Sequence, residues 1–166
     1  MEEVIGFTKV ALPYGWLGNM SPYPIEFGGQ TWKTSEALFQ SLRFNDNDIK
    51  ELIRNEKSPM GAKLIMIENK DYITTEQHSP KDVNNMKMCL LFKLMQHPNL
   101  IEELLLSGDR TIIEDVTARG DKGGNLFWGA MLVEGEDGFN WVGRNTLGKL
   151  WMELRESHKK NWTVTK

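Results

Sequence analysis

The chain has 166 residues, which suits one domain with its own hydrophobic core better than two. Forty per cent of the residues are hydrophobic and 26% charged, with a net charge of −3 and a pI near 5.7. That balance argues against a protein held on nucleic acid mainly by phosphate neutralisation, although it leaves room for a local basic pocket around one phosphate. One cysteine, Cys89, rules out an internal disulfide, and its place in the run MCLLF points to a buried, inert thiol. The N-terminal stretch MEEVIGFTKVALP lacks the cationic and long apolar regions of a secretory signal. No apolar stretch approaches the length of a membrane span. The expected setting is therefore the cytoplasm, with no membrane partner.

Taken in chain order, the first thirty or so residues are rich in Gly and Pro and read as turns around short strands. Ile25 to Phe27 and Gln30 to Lys33 flank Gly28-Gly29 as a hairpin. Ser35 is a candidate N-cap for a helix reaching about Phe44, and a second short helix is expected from Asp48 to Asn55. Ser58-Pro59 supplies an N-cap and an N1 proline for a helix running to about Glu68. Asp82 to Gln96 carries the stripe Val83, Met86, Leu90, Leu94. After His97-Pro98 a further helix carries Leu100, Ile101, Leu104 and Leu105, and Ser107-Gly108 ends it. The glycine-rich region from Thr117 to Phe139 reads as loop, with LFWGAMLV as a strand. Asn145 caps a last helix with the stripe Leu147, Leu150, Trp151, Leu154. The fold class these elements predict is α+β, mostly helical, with a few short strands in a single domain over residues 1–166.

Four places carry candidate chemistry. Glu36 sits in the first turn of its helix and shares a face with Gln40 and Arg43. The helix dipole favours its anion, which suits a base, a nucleophile or a cation stabiliser, while the plain alternative is a solvated first-turn residue. Lys63 lies on PMGAKLIMI, a helix apolar nearly all round and so expected to be buried. Lys63 must then snorkel, pair with a carboxylate such as Glu36, or lose its proton and act as a base or nucleophile. Gly143-Arg144-Asn145 opens the last helix, where backbone N–H groups and a guanidinium make either a phosphate seat or a plain cap. Trp16 and Trp128 adjoin glycines and offer either stacking faces for a base or core filling. His78, His97 and His158 are scattered, and no metal-ligand spacing, phosphate loop, dinucleotide fingerprint or nucleophile elbow occurs. Neither a metal nor a cofactor is expected.

The ordered set WLGNMSPYPIEFGGQTWKTSEALFQSLRF, KSPMGAK, NMKMCLLFKLMQHPNLIEELLLSGDRTIIE, FWGAM and GRNTLGKLWMELR resembles the NADAR, or YbiA-like, family over most of Gly15 to Arg155. Glu36 falls on the glutamate of the family's T-x-E-x-x-F-Q pattern, with Phe39 and Gln40 in register. Lys63 falls on the lysine of S-P-x-x-A-K. Trp128-Gly129 matches the W-G pair, Gly143, Asn145, Leu147 and Gly148 match G-x-N-x-L-G, and Arg155 matches the closing M-x-x-R. Two departures stand out. The family's aspartate three residues before W-G is Asn125 here, in a longer loop that offers Asp121 instead, downstream of Glu114. The histidine that follows the glutamate is Ala37.

The resemblance implies a compact, mostly helical domain and a metal-independent N-glycosidase that cuts the bond between a ribose carbon and a nitrogen. Its implied substrates are ADP-ribosylated guanine, possibly in nucleic acid, or phosphorylated ribosylamino-pyrimidine intermediates of riboflavin synthesis. It implies catalytic roles for Glu36, Lys63 and Asp121. Substrate binding falls to Trp16, Asn19, Gln40, Arg43, Asn125, Trp128, Gly129, Arg144 and Asn145. A rival reading is a module that binds ADP-ribose or a nucleotide without cutting it, kept open by Asn125.

Overall fold

A computed structural model describes residues 3–164 of the chain. In order, the elements are β1 (Val4–Phe7), β2 (Ile25–Phe27), β3 (Gln30–Trp32), α1 (Ser35–Ser41), α2 (Asn47–Asn55), α3 (Pro59–Glu68), α4 (Pro80–Gln96), α5 (Asn99–Leu106), β4 (Thr111–Glu114), α6 (Asn125–Trp128), β5 (Met131–Gly135), β6 (Gly138–Val142) and α7 (Thr146–Val164). The chain is α+β and helix-rich, as its sequence predicts. Among the described residues no helix is long and apolar enough to cross a membrane. Its contacts group into two units, one of residues 19–98 and one of residues 3–18 with 99–164.

In the 19–98 unit, β2 and β3 pair antiparallel, Ile25 opposite Trp32. The turn uses Gly28 and Gly29 at φ of 62° and 75°, the left-handed pair that a tight hairpin needs. α1 packs against α2, α3 and α4. The helices start where side chains satisfy their free N–H groups. Thr34 Oγ1 accepts from Ala37 N, Ser58 Oγ from Gly61 N, and Ser79 Oγ from Asp82 N. The α1 cap is thus Thr34, one residue before the expected Ser35, because Thr34 holds the extended conformation (φ −147°, ψ 160°) that a cap requires. Leu38, Ile53, Leu90 and Leu94 are wholly buried in this core, each worth about 1.5–3 kcal/mol. α3 departs from expectation. Ala62 and Met66 are buried, but Met60, Leu64 and Ile67 are 50%, 50% and 46% exposed. One face of a ten-residue helix is enough to cover its neighbours, and the other stays apolar and outward.

In the second unit, β1 and β4 pair parallel, Ile5 opposite Ile112, and α7 packs along β4 and α5. Trp151 is fully buried in α7 and donates Nε1–H to Leu17 O at 3.0 Å. The stretch expected as one strand is split. Asn125–Trp128 is a short helix, and the strand begins at Met131 and turns at Gly135 into β6.

Candidate active site

α1 is buried along its whole length, and Glu36 is only 8% exposed. A solvated first-turn glutamate is therefore ruled out. The Glu36 backbone N–H donates to Asn19 O at 3.0 Å. Ser35 Oγ donates to Asn19 Oδ1 at 2.9 Å, and Asn19 Nδ2 reaches Met86 Sδ at 3.1 Å. The Glu36 carboxylate accepts from Gln40 Nε2 at 2.8 Å. That is the helical i, i+4 pairing expected from the sequence. Gln40 Oε1 in turn accepts from Arg43 Nη1 at 3.1 Å. Arg43 is 3% exposed; its Nε and Nη2 donate to the two carboxylate oxygens of Asp82 at 2.9 and 2.8 Å. The guanidinium also lies 4.5 Å from the Phe39 ring centroid. Gln40 and Arg43, expected to bind substrate, thus form a buried line of polar contacts ending on Glu36.

α4 supplies the wall behind this line. Asp82, Met86, Cys89 and Lys93 fall at i, i+4, i+7 and i+11 and are all buried. Cys89 is completely buried, and its thiol pKa is pushed up first by burial, then by the charges of Glu36 and Asp82. Lys93 is also completely buried, and burial pulls its pKa down to about 7. Its ammonium donates to Ser21 Oγ at 2.8 Å and sits 5.2 Å from the Tyr23 ring centroid. Sequence reasoning missed both Asp82 and Lys93. The signal was available: MKMCLLFK puts a lysine four residues after a cysteine already read as buried.

Lys63 is half-buried on α3, which packs against α1. Among the described residues its ammonium makes no ion pair within 4 Å, so the pairing with Glu36 is not formed.

The other predicted residues lie in the second unit, with Asn19, Gln40 and Arg43 in the first. Arg144 is exposed, its guanidinium 5.4 Å from the Phe127 ring centroid, and Phe127 meets Trp128 edge-on at 4.9 Å. Trp16 stands edge-on to Trp151 at 5.5 Å. Asn145, at a left-handed φ of 52°, precedes α7 as expected, and its carbonyl accepts the Lys149 N–H at 3.0 Å. Its Oδ1 accepts from Glu114 N at 3.0 Å and its Nδ2 donates to Ile112 O at 2.8 Å. A Cβ on Gly148 would lie 2.2 Å from Ile112 O, one on Gly129 2.5 Å from Glu114 O, and one on Gly143 2.4 Å from Gly129 O. The G-x-N-x-L-G motif is thus a set of close approaches to neighbouring backbone, β4 above all. Asn125 Nδ2 donates to Gly120 O at 2.9 Å and closes the loop that carries Asp121, which is exposed. Glu114 accepts from Arg119 Nη2 at 3.1 Å. Arg155 Nη1 donates to Ser107 Oγ and Arg110 O, at 3.0 and 2.8 Å, and ties α7 to the turn after α5. Among the described residues no group of three or more His, Cys, Asp or Glu is arranged to hold a metal ion.

The chain resembles known proteins in sequence and in fold. The NADAR domain family model matches residues 6–158, and the chain belongs to that family. It is 32% identical over 155 residues to N-glycosidase YbiA of Escherichia coli K12, covering 93% of this chain and 88% of that one. The NMR structure of E. coli YbiA superimposes with a TM-score of 0.76 at 29% identity, covering 98% of this chain and 89% of that one. A riboflavin biosynthesis protein of Vibrio vulnificus is 30% identical over 159 residues, which span 94% of this chain but 39% of that longer one.

Proposed function

We propose that this chain is an N-glycosidase that hydrolyses the C–N bond of a ribosylated base or amine, with Glu36 as the group at the chemistry. The observation that carries this reading is the state of Glu36: buried, and held by a donor at Oε1. A hydrogen bond donated to a carboxylate favours its charged form. In the reaction the anomeric C–N bond breaks, its electron pair leaves with the nitrogen, and positive charge spreads over the ribose carbon and ring oxygen. A fixed anion beside that carbon stabilises the cation and orients the water that adds to it, and the carboxylate takes the water's proton as the hydroxyl forms and returns it to solvent. The leaving nitrogen takes a proton from an acid. Lys63 and Asp121 are the candidates for that role, and Lys63 alternatively captures the opened sugar through its amine.

Trp128 and Phe127 offer aromatic faces suited to a base, and Arg144 a guanidinium suited to a phosphate. Trp16, Asn125, Gly129 and Asn145 complete the proposed binding set, with Asn145 and Gly129 acting through the backbone they shape. The substrate class follows the family: ADP-ribosylated guanine or a phosphorylated ribosylamino-pyrimidine. The relatives named N-glycosidase and riboflavin biosynthesis protein support a ribosylated substrate in general. One observation favours a second reading, a module that binds ADP-ribose without cutting it. Asn125 stands where the family carries aspartate, and its amide is engaged with Gly120 O.

Incubation with each substrate, followed by mass spectrometry, separates these readings. Release of ADP-ribose or ribose phosphate by the wild type establishes cleavage and names the substrate class. Saturable binding of ADP-ribose with no release over a long incubation establishes the binding module instead.

A further inference from the structure

The wall behind Glu36 is built more heavily than a packing role needs. Three ionisable side chains, Arg43, Asp82 and Lys93, lie at 3%, 0% and 0% exposure. Burying charges is costly unless each is paired, so their arrangement calls for a reason. Asp82 is fixed before it meets Arg43: its backbone N–H donates to Ser79 Oγ at 3.2 Å, and its Oδ2 accepts from His78 N at 2.9 Å. His78 adopts a left-handed φ of 64° at that contact, a conformation uncommon for a residue with a side chain.

Asp82 occupies Nε and Nη2 of the guanidinium, and Nη1 turns to Gln40. Arginine donates only, so it takes the oxygen end of the Gln40 amide. The nitrogen end must then point the other way, and it meets Glu36. Glu36 Oε1 accepts that bond. Remove the Asp82 charge, and the buried guanidinium has Glu36 as the carboxylate reached through the same chain of hydrogen bonds. It would turn toward Glu36 and shift that carboxylate from its place.

We propose that Asp82 is a positioning residue for the reaction at Glu36: it holds Arg43 in place, so that Arg43 fixes the Gln40 amide and Gln40 orients the Glu36 carboxylate. The inference rests on the N-glycosidase reading for its catalytic meaning, but the link from Asp82 to Glu36 is a property of the protein without substrate. The titratable groups on the helices packed against α1 are Lys81, Asp82, Lys87, Cys89 and Lys93 on α4, Lys63 and Glu68 on α3, and Asp48, Lys50, Glu51 and Arg54 on α2. Asp82 is joined to Glu36 through an unbroken run of hydrogen bonds by way of Arg43 and Gln40.

The test compares wild type, Asp82→Asn and Gln40→Met. Glu36 is followed by carboxyl-carbon NMR as a function of pH, alongside kcat and KM on whichever substrate the wild type cleaves. Asp82→Asn is expected to move the Glu36 titration to lower pH, because a negative neighbour is lost and Arg43 is released toward it. Its kcat should fall about 10- to 100-fold with KM little changed, as for a displaced catalytic group. Gln40→Met keeps the Arg43–Asp82 pair and should move the Glu36 titration the opposite way, since a donor to the anion is lost. Folded Asp82→Asn with an unmoved Glu36 titration overturns the proposal, whatever its activity. If Asp82→Asn does not fold, an unmoved titration in Gln40→Met overturns it instead. A wild type that cleaves nothing, with the Glu36 titration still moved in Asp82→Asn, defeats the N-glycosidase reading and leaves the link standing.

Discussion

Lys93 donates to Ser21 Oγ at 2.8 Å from a position with no solvent exposure. The contact joins α4 to the segment before β2, seventy-two residues earlier in the chain. A buried ammonium in a neutral hydrogen bond is held at a cost in solvation, and that cost is readable as pH dependence.

Burial lowers the Lys93 pKa from 10.5 to about 7. In the unfolded chain the lysine keeps its proton up to the ordinary value. Between those limits the unfolded state binds more protons, so this group makes stability rise with pH from about 7 toward 10. Below about 7 both states are protonated and its contribution is flat at its least favourable. Thermal melts of wild type and Lys93→Met across that range should converge or cross as pH rises, with the variant relatively more stable at the acid end. Parallel curves would show that Lys93 does not titrate in the folded protein.

Arg43 and Asp82 form a bidentate pair with almost no exposure. Removing one partner takes the bidentate contact from the other, which stays buried, at a cost of about 3–5 kcal/mol. Asp82→Ala should therefore be destabilised by that amount in urea unfolding. The double variant Arg43→Met with Asp82→Leu should lose much less than the sum of the two single changes. A cost for the double variant equal to that sum would mean that the two side chains do not act as a pair.

Asn145 bonds the β4 backbone at both ends of its amide and holds a left-handed φ. Asn145→Ala loses both bonds and strains the backbone, so a loss of roughly 2–4 kcal/mol is expected. Asn145→Gly removes the same bonds without the strain and should be the milder change. Urea titration of the pair checks the order, and an Ala variant as stable as Gly would contradict it.

The sequence was most informative where a local signal had one reading. Ser58-Pro59 marked the start of α3, and Gly28-Gly29 the hairpin turn. The same Ser-Pro signal at Ser79-Pro80 opens α4, two residues before the expected Asp82. β4 and its pairing with β1 were not legible, because four-residue parallel strands carry no turn between them and their partner lies far along the chain. Lys63 was expected on a buried helix and Lys93 was overlooked for a related reason. A helix rich in apolar residues must have packing partners, but only the i, i+4, i+7 geometry tells which of its faces meets them. LFWGAMLV has strand composition, yet Gly129 must approach the Glu114 carbonyl, and the chain bends there instead of running straight. Within the candidate site, the i+4 spacing made the Glu36–Gln40 pair legible. Asp82, thirty-nine residues beyond Arg43, was not.

The most direct test of Glu36 as the group at the chemistry is the rate of C–N bond cleavage in Glu36→Gln, measured in single turnover beside wild type, with the fold checked by NMR. Glutamine keeps the shape and removes the charge. The predicted result is a loss of about a hundred- to a thousandfold, the scale of removing a preorganised electrostatic group, with binding of the uncleaved substrate retained. Cleavage at the wild-type rate by a correctly folded Glu36→Gln protein would contradict it.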